Sequence, residues 1–485
     1  MHTQLVVLGG GPGGYAAAFL AADRGMEVTL VDAETRLGGT CLLRGCIPSK
    51  ALLHVARVVT ETDELSAWGL EFGKPTIDVD ALRGRKDEVI ATLSGGLKQL
   101  AKQRKVKVVS ARGTFLSSTT LTLEPVPGVD PPEDLELTFD HCILATGSRP
   151  TRIASLDLPS DRVMDSTAAL ELPDIPGSLL VVGGGYIGLE MGTVYAALGS
   201  KVSVVELTDG LLPGVDRDLV KPLAKRLETE VCEAVYLSTK VAKLAEVDGQ
   251  IEVTLEGPAA EDGAKESGER RTLRFDRVLV SVGRRPGSDG IGLENTRVKV
   301  DRRGFVKVDS GQRTADPHIL AIGDVAGEPM LAHKATHEGK VAVEVLLGEP
   351  AAFDKQAIPA VVFTDPEIAW AGLTESQAKA SGRKVNVARY PWAASGKAQS
   401  LGRTEGLTKM LVDPETERLL GVGIVGAAAG DLIAEAVLAI EMGSTLRDVA
   451  ESIHPHPTLS ETVGNAAEML LGTATEIYRP KRPGK

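Results

Sequence analysis

Short unbroken apolar runs alternate with glycine-rich turns and alanine-rich stretches along the first half of the chain. Gln4 to Leu8 reads as a buried parallel strand, Gly9 to Gly14 as a loop, Tyr15 to Arg24 as a helix and Glu27 to Asp32 as a second strand, which together make a βαβ unit. The pattern returns downstream: Ser178 to Val182 is a strand, Gly183 to Gly188 a loop, Leu189 to Leu198 a helix and Lys201 to Glu206 a strand. The first unit is interrupted at its last strand, His141 to Thr146, and His318 to Asp324 resembles a returning edge of the same sheet. Pro125 to Asp134 and Gly257 to Arg271 are too polar to bury a core and predict solvated loops between strands. From about Pro359 strands alternate with helices, and Ala427 to Met442 predicts a helix ending at Gly443. The fold class expected is α/β, with two Rossmann-like dinucleotide-binding domains and a C-terminal α+β domain.

A length of 485 residues suggests three or four domains and so a multidomain enzyme. The net charge of −12 and the lack of a basic patch argue against nucleic acid, and the basic tail RPKRPGK reads as a solvated end. Four cysteines are too few for a secreted disulfide framework, so a cytoplasmic location is expected. No apolar run reaches the roughly 18 residues of a membrane span. The chain enters its first strand and loop almost at once, and no targeting peptide is expected.

The loop glycines Gly9, Gly11 and Gly14 fit the dinucleotide fingerprint, in which a tight turn lets backbone and helix N-terminus approach a pyrophosphate. Asp32 then stands at a strand end, where a carboxylate accepts from ribose hydroxyls. Gly183, Gly185 and Gly188 repeat the geometry, with Glu206 at the same spacing. An acid there repels a 2′-phosphate, and the following LTDG holds no Arg or Lys to receive one, so this site predicts NAD rather than NADP.

Cys41 and Cys46 follow the first unit with four residues between them. A helix would hold such positions about 8 to 9 Å apart, whereas a disulfide wants Cα atoms within roughly 7 Å, so a bridge needs an irregular turn. Gly38, Gly39, Gly45 and Pro48 supply one. Two buried thiols are the plain alternative. A metal clamp with His333, His337, His454 or His456 is disfavoured, because the spacings match no closed zinc site, and no metal is expected. Thiols beside two nucleotide sites suggest a flavin as middle carrier of electrons. The thiols need a base. His456 supplies an imidazole and Glu461 a carboxylate to orient it, while His454 reads as structural.

With these features assembled, the chain resembles the pyridine nucleotide-disulfide oxidoreductases over nearly its whole length. The motifs that carry the likeness are GGTCLLRGCIPSKALL, ILATGSRP, GGGYIGLEMGTVYAALGS, AIGDV, MLAHKA and HPHPTLSE. The resemblance is strongest to the branch that oxidises dihydrolipoamide as the flavoprotein component of 2-oxo acid dehydrogenase complexes. It implies that Cys41 and Cys46 form the redox disulfide, Cys41 exchanging with substrate and Cys46 facing the flavin. It implies a Lys50–Glu190 pair at the flavin's reactive edge. FAD contacts are implied for Asp32, Thr40, Lys50, Gly113, Thr146, Gly147, Asp324 and Ala332, and contacts around NAD for Glu206, Val241 and Gly283.

The implied division of the chain is an FAD-binding part over 1–149, an NAD-binding domain over 150–282, a central part completing the FAD site over 283–352, and an interface domain over 353–485. A homodimer is implied, with His456 and Glu461 completing the other subunit's site, and a lipoyl-bearing acyltransferase subunit as the partner that presents substrate. Departures are Leu43 and Arg44, where Asn-Val is common, and Tyr186, which resembles the nicotinamide lid of glutathione reductases. Arg44 either lowers a thiol pKa or points to the surface. The rivals are a glutathione or mercuric type of reductase, or mainly a structural subunit docked on the acyltransferase core. Glu206 argues against the NADPH that glutathione reduction uses, and no Cys follows Cys232 to supply the C-terminal pair of a mercuric reductase.

Overall fold

The computed structural model describes residues 1–258 and 270–477. The tail RPKRPGK and most of the loop expected between Gly257 and Arg271 lie outside the described residues. The first sheet has His2–Leu8 at its centre, parallel to Val28–Asp32 on one side and Glu136–Leu144 on the other. Lys107–Ser117 and Ile319–Ala321 extend it in parallel at the two ends, so the returning edge expected near His318 belongs to this sheet. Its central strand is an unbroken apolar run because both faces are covered, one by the helices Pro12–Asp23 and Ala332–Leu346 and the other by Phe115, Leu121, Phe139, Ile291 and Val306; Leu5, Val6 and Val7 are fully buried. Thr120–Pro125 is antiparallel to its neighbours and leads through an exposed turn, as expected for Pro125 to Asp134.

The second sheet is also parallel, in the order Cys232–Tyr236, Lys201–Val205, Ser178–Val182, Arg277–Val280 and Val163–Met164. A three-stranded antiparallel sheet, Lys240–Val247, Gln250–Glu256 and Arg270–Phe275, accompanies it. The two passages of chain between the nucleotide-binding sheets, Ser148–Pro150 and Arg284–Pro286, pair with each other. The C-terminal region is a five-stranded antiparallel sheet beginning at Ala360–Val362, and the helices Ala429–Glu441 and Glu461–Leu471 share its apolar core. Trp392 anchors that core, fully buried, its indole donating to Thr408 Oγ1 at 2.9 Å.

Several boundaries differ from the sequence-based expectation. The first fingerprint helix starts at Pro12 rather than Tyr15, and the second at Tyr186 rather than Leu189. Gly11 and Gly185 are extended cap residues, so the last fingerprint glycine of each loop already lies in the first helical turns. There the missing side chain is required: a Cβ on Gly14 would lie 1.8 Å from the carbonyl oxygen of Gly9, and one on Gly188 2.3 Å from that of Gly183. The strand expected over His141 to Thr146 runs instead over Glu136–Leu144, which frees Ala145 and Thr146 to form a loop against Gly9. Two long helices, Cys46–Glu64 and Val79–Gln103, fill the interval that the sequence pattern left unassigned.

Candidate active site

A cavity of about 820 Å³ opens over the C-terminal ends of the first sheet, where parallel α/β sheets bind ligands. Gly9, Gly11, Gly14, Asp32, Thr40, Lys50, Gly113, Thr146, Gly147, Asp324 and Ala332 all line it, together with both redox cysteine candidates. Asp32 is buried and accepts the amides of Gly10 and of Glu34, the latter at 2.7 Å. Burial raises its pKa, and the two amides only partly offset that. Thr146 Oγ1 is buried with no partner of its own, beside the glycine cradle that a Cβ would fill. An elongated cleft with a helix N-terminus, a ribose acid and an orphaned hydroxyl fits an FAD molecule.

The cysteines sit where two helices meet. Gly39–Arg44 carries Cys41, Cys46–Glu64 starts at Cys46, and Gly45 between them has the irregular backbone the spacing called for. A Cβ on Gly45 would meet the Thr40 carbonyl oxygen at 2.8 Å. Cys41 and Cys46 are free thiols joined by a hydrogen bond. That bond, aided by the Lys50 ammonium, outweighs desolvation and lowers Cys46, whose side chain is exposed to the cavity, to about 7. Cys41 moves the other way: donating to its neighbour and sitting in a desolvated place, its thiol is pushed far up. The helix N-terminus at Cys46 favours the thiolate further.

Lys50, one turn into that helix, places Nζ 2.8 Å from Glu190 Oε2. The cation that acts on the sulfurs is therefore Lys50 and not Arg44, whose guanidinium turns away to pair with Glu34. Tyr186 lines the same cavity with its side chain partly exposed, and desolvation there pushes its hydroxyl up to about 12.

The glycines of the second loop and Glu206 lie outside the large cavity, although Tyr186 and Ile187 between them line it. Glu206 accepts from Gly184 at 2.7 Å and from the amide and hydroxyl of Thr208 at 2.8 Å. Gly283 has φ 109°, a left-handed turn beside this loop's neighbour strand, while the Val241 side chain is buried with Val182 and Val205. His456 also lies outside its own chain's cavity, with 79% of its side chain exposed. Its Nδ1 meets Glu461 Oε1 at 2.9 Å, and Glu461 Oε2 accepts the Thr458 amide at 2.8 Å. Burial tends to raise the Glu461 carboxyl, but the Thr458 amide and His456 outweigh it and hold it below the usual range. His454 is structural, bound between the Ser452 carbonyl and Glu435.

Three features go beyond the residues that the sequence singles out. Phe363, just after the first strand of the C-terminal sheet, donates its backbone amide to Glu190 Oε1 at 3.0 Å. The Lys334–Glu338 pair, at 2.7 Å, is buried beneath Asp324, and Glu338 accepts the Gly323 amide. Arg284 donates to Ser148, whose hydroxyl bonds Asp324. Spacing of lysine and glutamate on one helix could have found the second of these. Asp216, Asp218 and Glu375 gather their carboxylates elsewhere, where the Lys409 ammonium rather than a metal ion satisfies them.

Residues 3–339 match the pyridine nucleotide-disulphide oxidoreductase model and residues 358–467 match its dimerisation domain, which supports a homodimer. Dihydrolipoyl dehydrogenase of Vibrio cholerae is 46% identical over 100% of this chain and 99% of its own. That of Haemophilus influenzae is 46% identical over 100% and 98%. Among solved structures, LpdA from Mycobacterium tuberculosis superposes with a TM-score of 0.86 at 27% identity, over 96% of this chain and 99% of its own.

Proposed function

The chain belongs to the pyridine nucleotide-disulphide oxidoreductase family, and from that premise we propose how its residues divide the work. The reaction is FAD-dependent oxidation of dihydrolipoamide to lipoamide with reduction of NAD. FAD, when bound, supplies the electron relay between the dithiol and the nicotinamide. The first glycine loop and its helix N-terminus would take the pyrophosphate and Asp32 the ribose. Thr40, Lys50, Gly113, Thr146, Gly147, Asp324 and Ala332 would line the remainder. Gly183, Gly185, Gly188, Glu206, Val241 and Gly283 would form the NAD site. The segments 1–149, 150–282, 283–352 and 353–485 are the corresponding working units.

In the oxidised chain Cys41 and Cys46 share a disulfide. The partner subunit's His456 removes a proton from one substrate thiol, and the thiolate attacks Cys41 Sγ. The Cys41–Cys46 bond breaks and Cys46 leaves as thiolate. The second substrate thiol then attacks the substrate sulfur of the mixed disulfide and expels Cys41. The two substrate protons end on Cys41 and on the imidazole, which Glu461 stabilises. The carrying observation is the placement of Cys46: it starts the helix Cys46–Glu64, whose Lys50 ammonium is held 2.8 Å from Glu190 beside it, and that cation favours the Cys46 thiolate as leaving group.

The exposed position of His456 and the exposed apolar side chains Leu438, Met442 and Ile453 on the same domain support its delivery across a subunit interface. The substrate arm belongs to a lipoyl-bearing acyltransferase subunit of a 2-oxo acid dehydrogenase complex. A cytoplasmic location suits the free Cys142 and Cys232 thiols. Among the described residues no helix is long and apolar enough to cross a membrane. Replacing Cys46 by Ser should abolish lipoamide turnover while FAD stays bound; retained turnover removes the mechanism.

A further inference from the structure

Three domains meet at one carboxylate. Glu190 comes from the helix Tyr186–Ala197, Lys50 from the helix that starts at Cys46, and Phe363 from the chain just after the strand Ala360–Val362. Glu190 is 4% exposed at its side chain, so its oxygens find partners inside the protein: Oε2 takes Lys50 at 2.8 Å and Oε1 takes the Phe363 amide at 3.0 Å. The Phe363 ring lies against the same ammonium, 4.4 Å from Nζ to the ring centroid. We propose that Phe363 is a positioning residue, whose ring and amide hold Lys50 and Glu190 beside Cys46 from the C-terminal domain. This role rests on the assignment of Cys46 as the working thiolate.

Without the ring, Lys50 has somewhere else to go. A second cavity of about 180 Å³ lies on its far side, lined also by His54, Arg57, Asp365, Glu367 and Arg403. Asp365 and Glu367 are carboxylates that would compete with Glu190 and Cys46 for the ammonium, while His54, Arg57 and Arg403 share the cavity as neighbours of like sign or neutral. Phe363 itself is pinned from beyond: Asp365 is held by Arg403 and, at 3.3 Å, by Arg226, which also pairs with Glu64 at the far end of the cysteine helix. The ring is thus fixed against the very helix whose first turn carries the sulfur. Its contribution to Cys46 is electrostatic at one remove, by keeping the cation near.

The test is the pH dependence of iodoacetamide labelling at Cys46 in reduced holoenzyme, comparing wild type, Phe363→Leu and Phe363→Tyr. Trypsin cuts after Arg44 and Lys50, so the two active-site sulfurs fall on separate peptides and are counted apart. Leu keeps the amide and the apolar volume but removes the ring; Tyr keeps the ring. The Cys46 midpoint should rise by about 0.5 to 1 unit in Phe363→Leu and stay within about 0.2 units of wild type in Phe363→Tyr. A wild-type midpoint in Phe363→Leu, or an equal rise in both variants, overturns the role. A wild-type Cys46 that titrates at the ordinary thiol value removes the thiolate assignment itself, and this role with it.

Discussion

Glu206 accepts the backbone amide of Gly184 at 2.7 Å, and so fastens the second glycine loop to the strand end where a ribose would lie. Asp32 does the same for Gly10 in the first loop. In both folds the carboxylate that fastens the loop is also the one that would face a ribose, because the acid closes the strand that runs beside the loop's own strand. Glu206 is further held by the amide and hydroxyl of Thr208, so its charge is fixed in place rather than free to swing from an incoming phosphate.

Replacing Glu206 by Gln removes the charge that repels a 2′-phosphate while keeping an amide of the same shape. The preference for NAD over NADP, taken as the ratio of kcat/KM values, should narrow by about tenfold or more. FAD content should not change, since Asp32 and its loop are untouched. An unchanged ratio would show that the discrimination lies in other residues.

The thiol pair makes a second prediction. Cys46 is lowered chiefly because Cys41 donates to it, so Cys41→Ala should raise the Cys46 midpoint. A hydrogen bond to a charged group is worth about 1.5 to 3 kcal/mol, which corresponds to a rise of about 1 to 2 units. In sign, thiolate reactivity at Cys46 in the reduced wild type grows as pH rises through about 7, and in the variant the same growth comes later. Labelling of the Cys46 peptide across pH reads it directly, and coincident curves would mean that Lys50 and the helix end suffice.

Much of this site was legible because it is written in local spacing. Gly9 to Gly14 with Asp32, and Gly183 to Gly188 with Glu206, are patterns that a short unit of chain must satisfy alone, and both fold as expected apart from the helix starts. The irregular turn at Gly45 was likewise foreseen from a distance constraint. The Lys50–Glu190 pair was reached only through family resemblance, since its members lie on helices of different domains. Phe363 escaped altogether: its donor is a backbone amide, which every residue but proline possesses, and nothing in its side chain marks it. Arg44 drew attention for standing between the cysteines in sequence, yet Glu34 claims it in space.

Lys409 was also invisible to pattern, being a charged residue in an apolar strand, and it predicts acid sensitivity. Its ammonium lies 2.6 Å from both Asp216 and Asp218 and is 1% exposed. Burial raises the Asp216 carboxyl, but Lys409, Ser376 and the amides of Glu375 and Ser376 outweigh it and hold it at about 2. A carboxyl depressed in this way stabilises the fold above its unfolded value of about 3.9, and the contribution is lost as pH falls through about 2. Lys409→Met should cost about 3 to 5 kcal/mol at pH 7 by leaving the buried Asp216 carboxylate without its ammonium, while Asp218 and Glu375 keep Arg389. Urea unfolding across pH checks it. The wild-type midpoint should hold down to about pH 4 on account of this group, and a variant as stable as wild type would show that Arg389 alone neutralises the acids.

A mixed dimer distinguishes which subunit supplies the base. His456 presents an open imidazole away from its own cavity, its Nδ1 already engaged by Glu461. Each homodimeric variant, Cys41→Ala or His456→Gln, should lose dihydrolipoamide turnover by about 10²-fold or more, while both keep FAD. In a heterodimer of the two, purified through different tags on each chain, one site pairs an intact disulfide with the partner subunit's His456 and the other site lacks both. Such a heterodimer should recover about half of the wild-type rate per dimer, as two-fold symmetry requires. If the imidazole served its own chain's cysteines, neither site of the heterodimer would hold a complete set, and mixing would restore nothing.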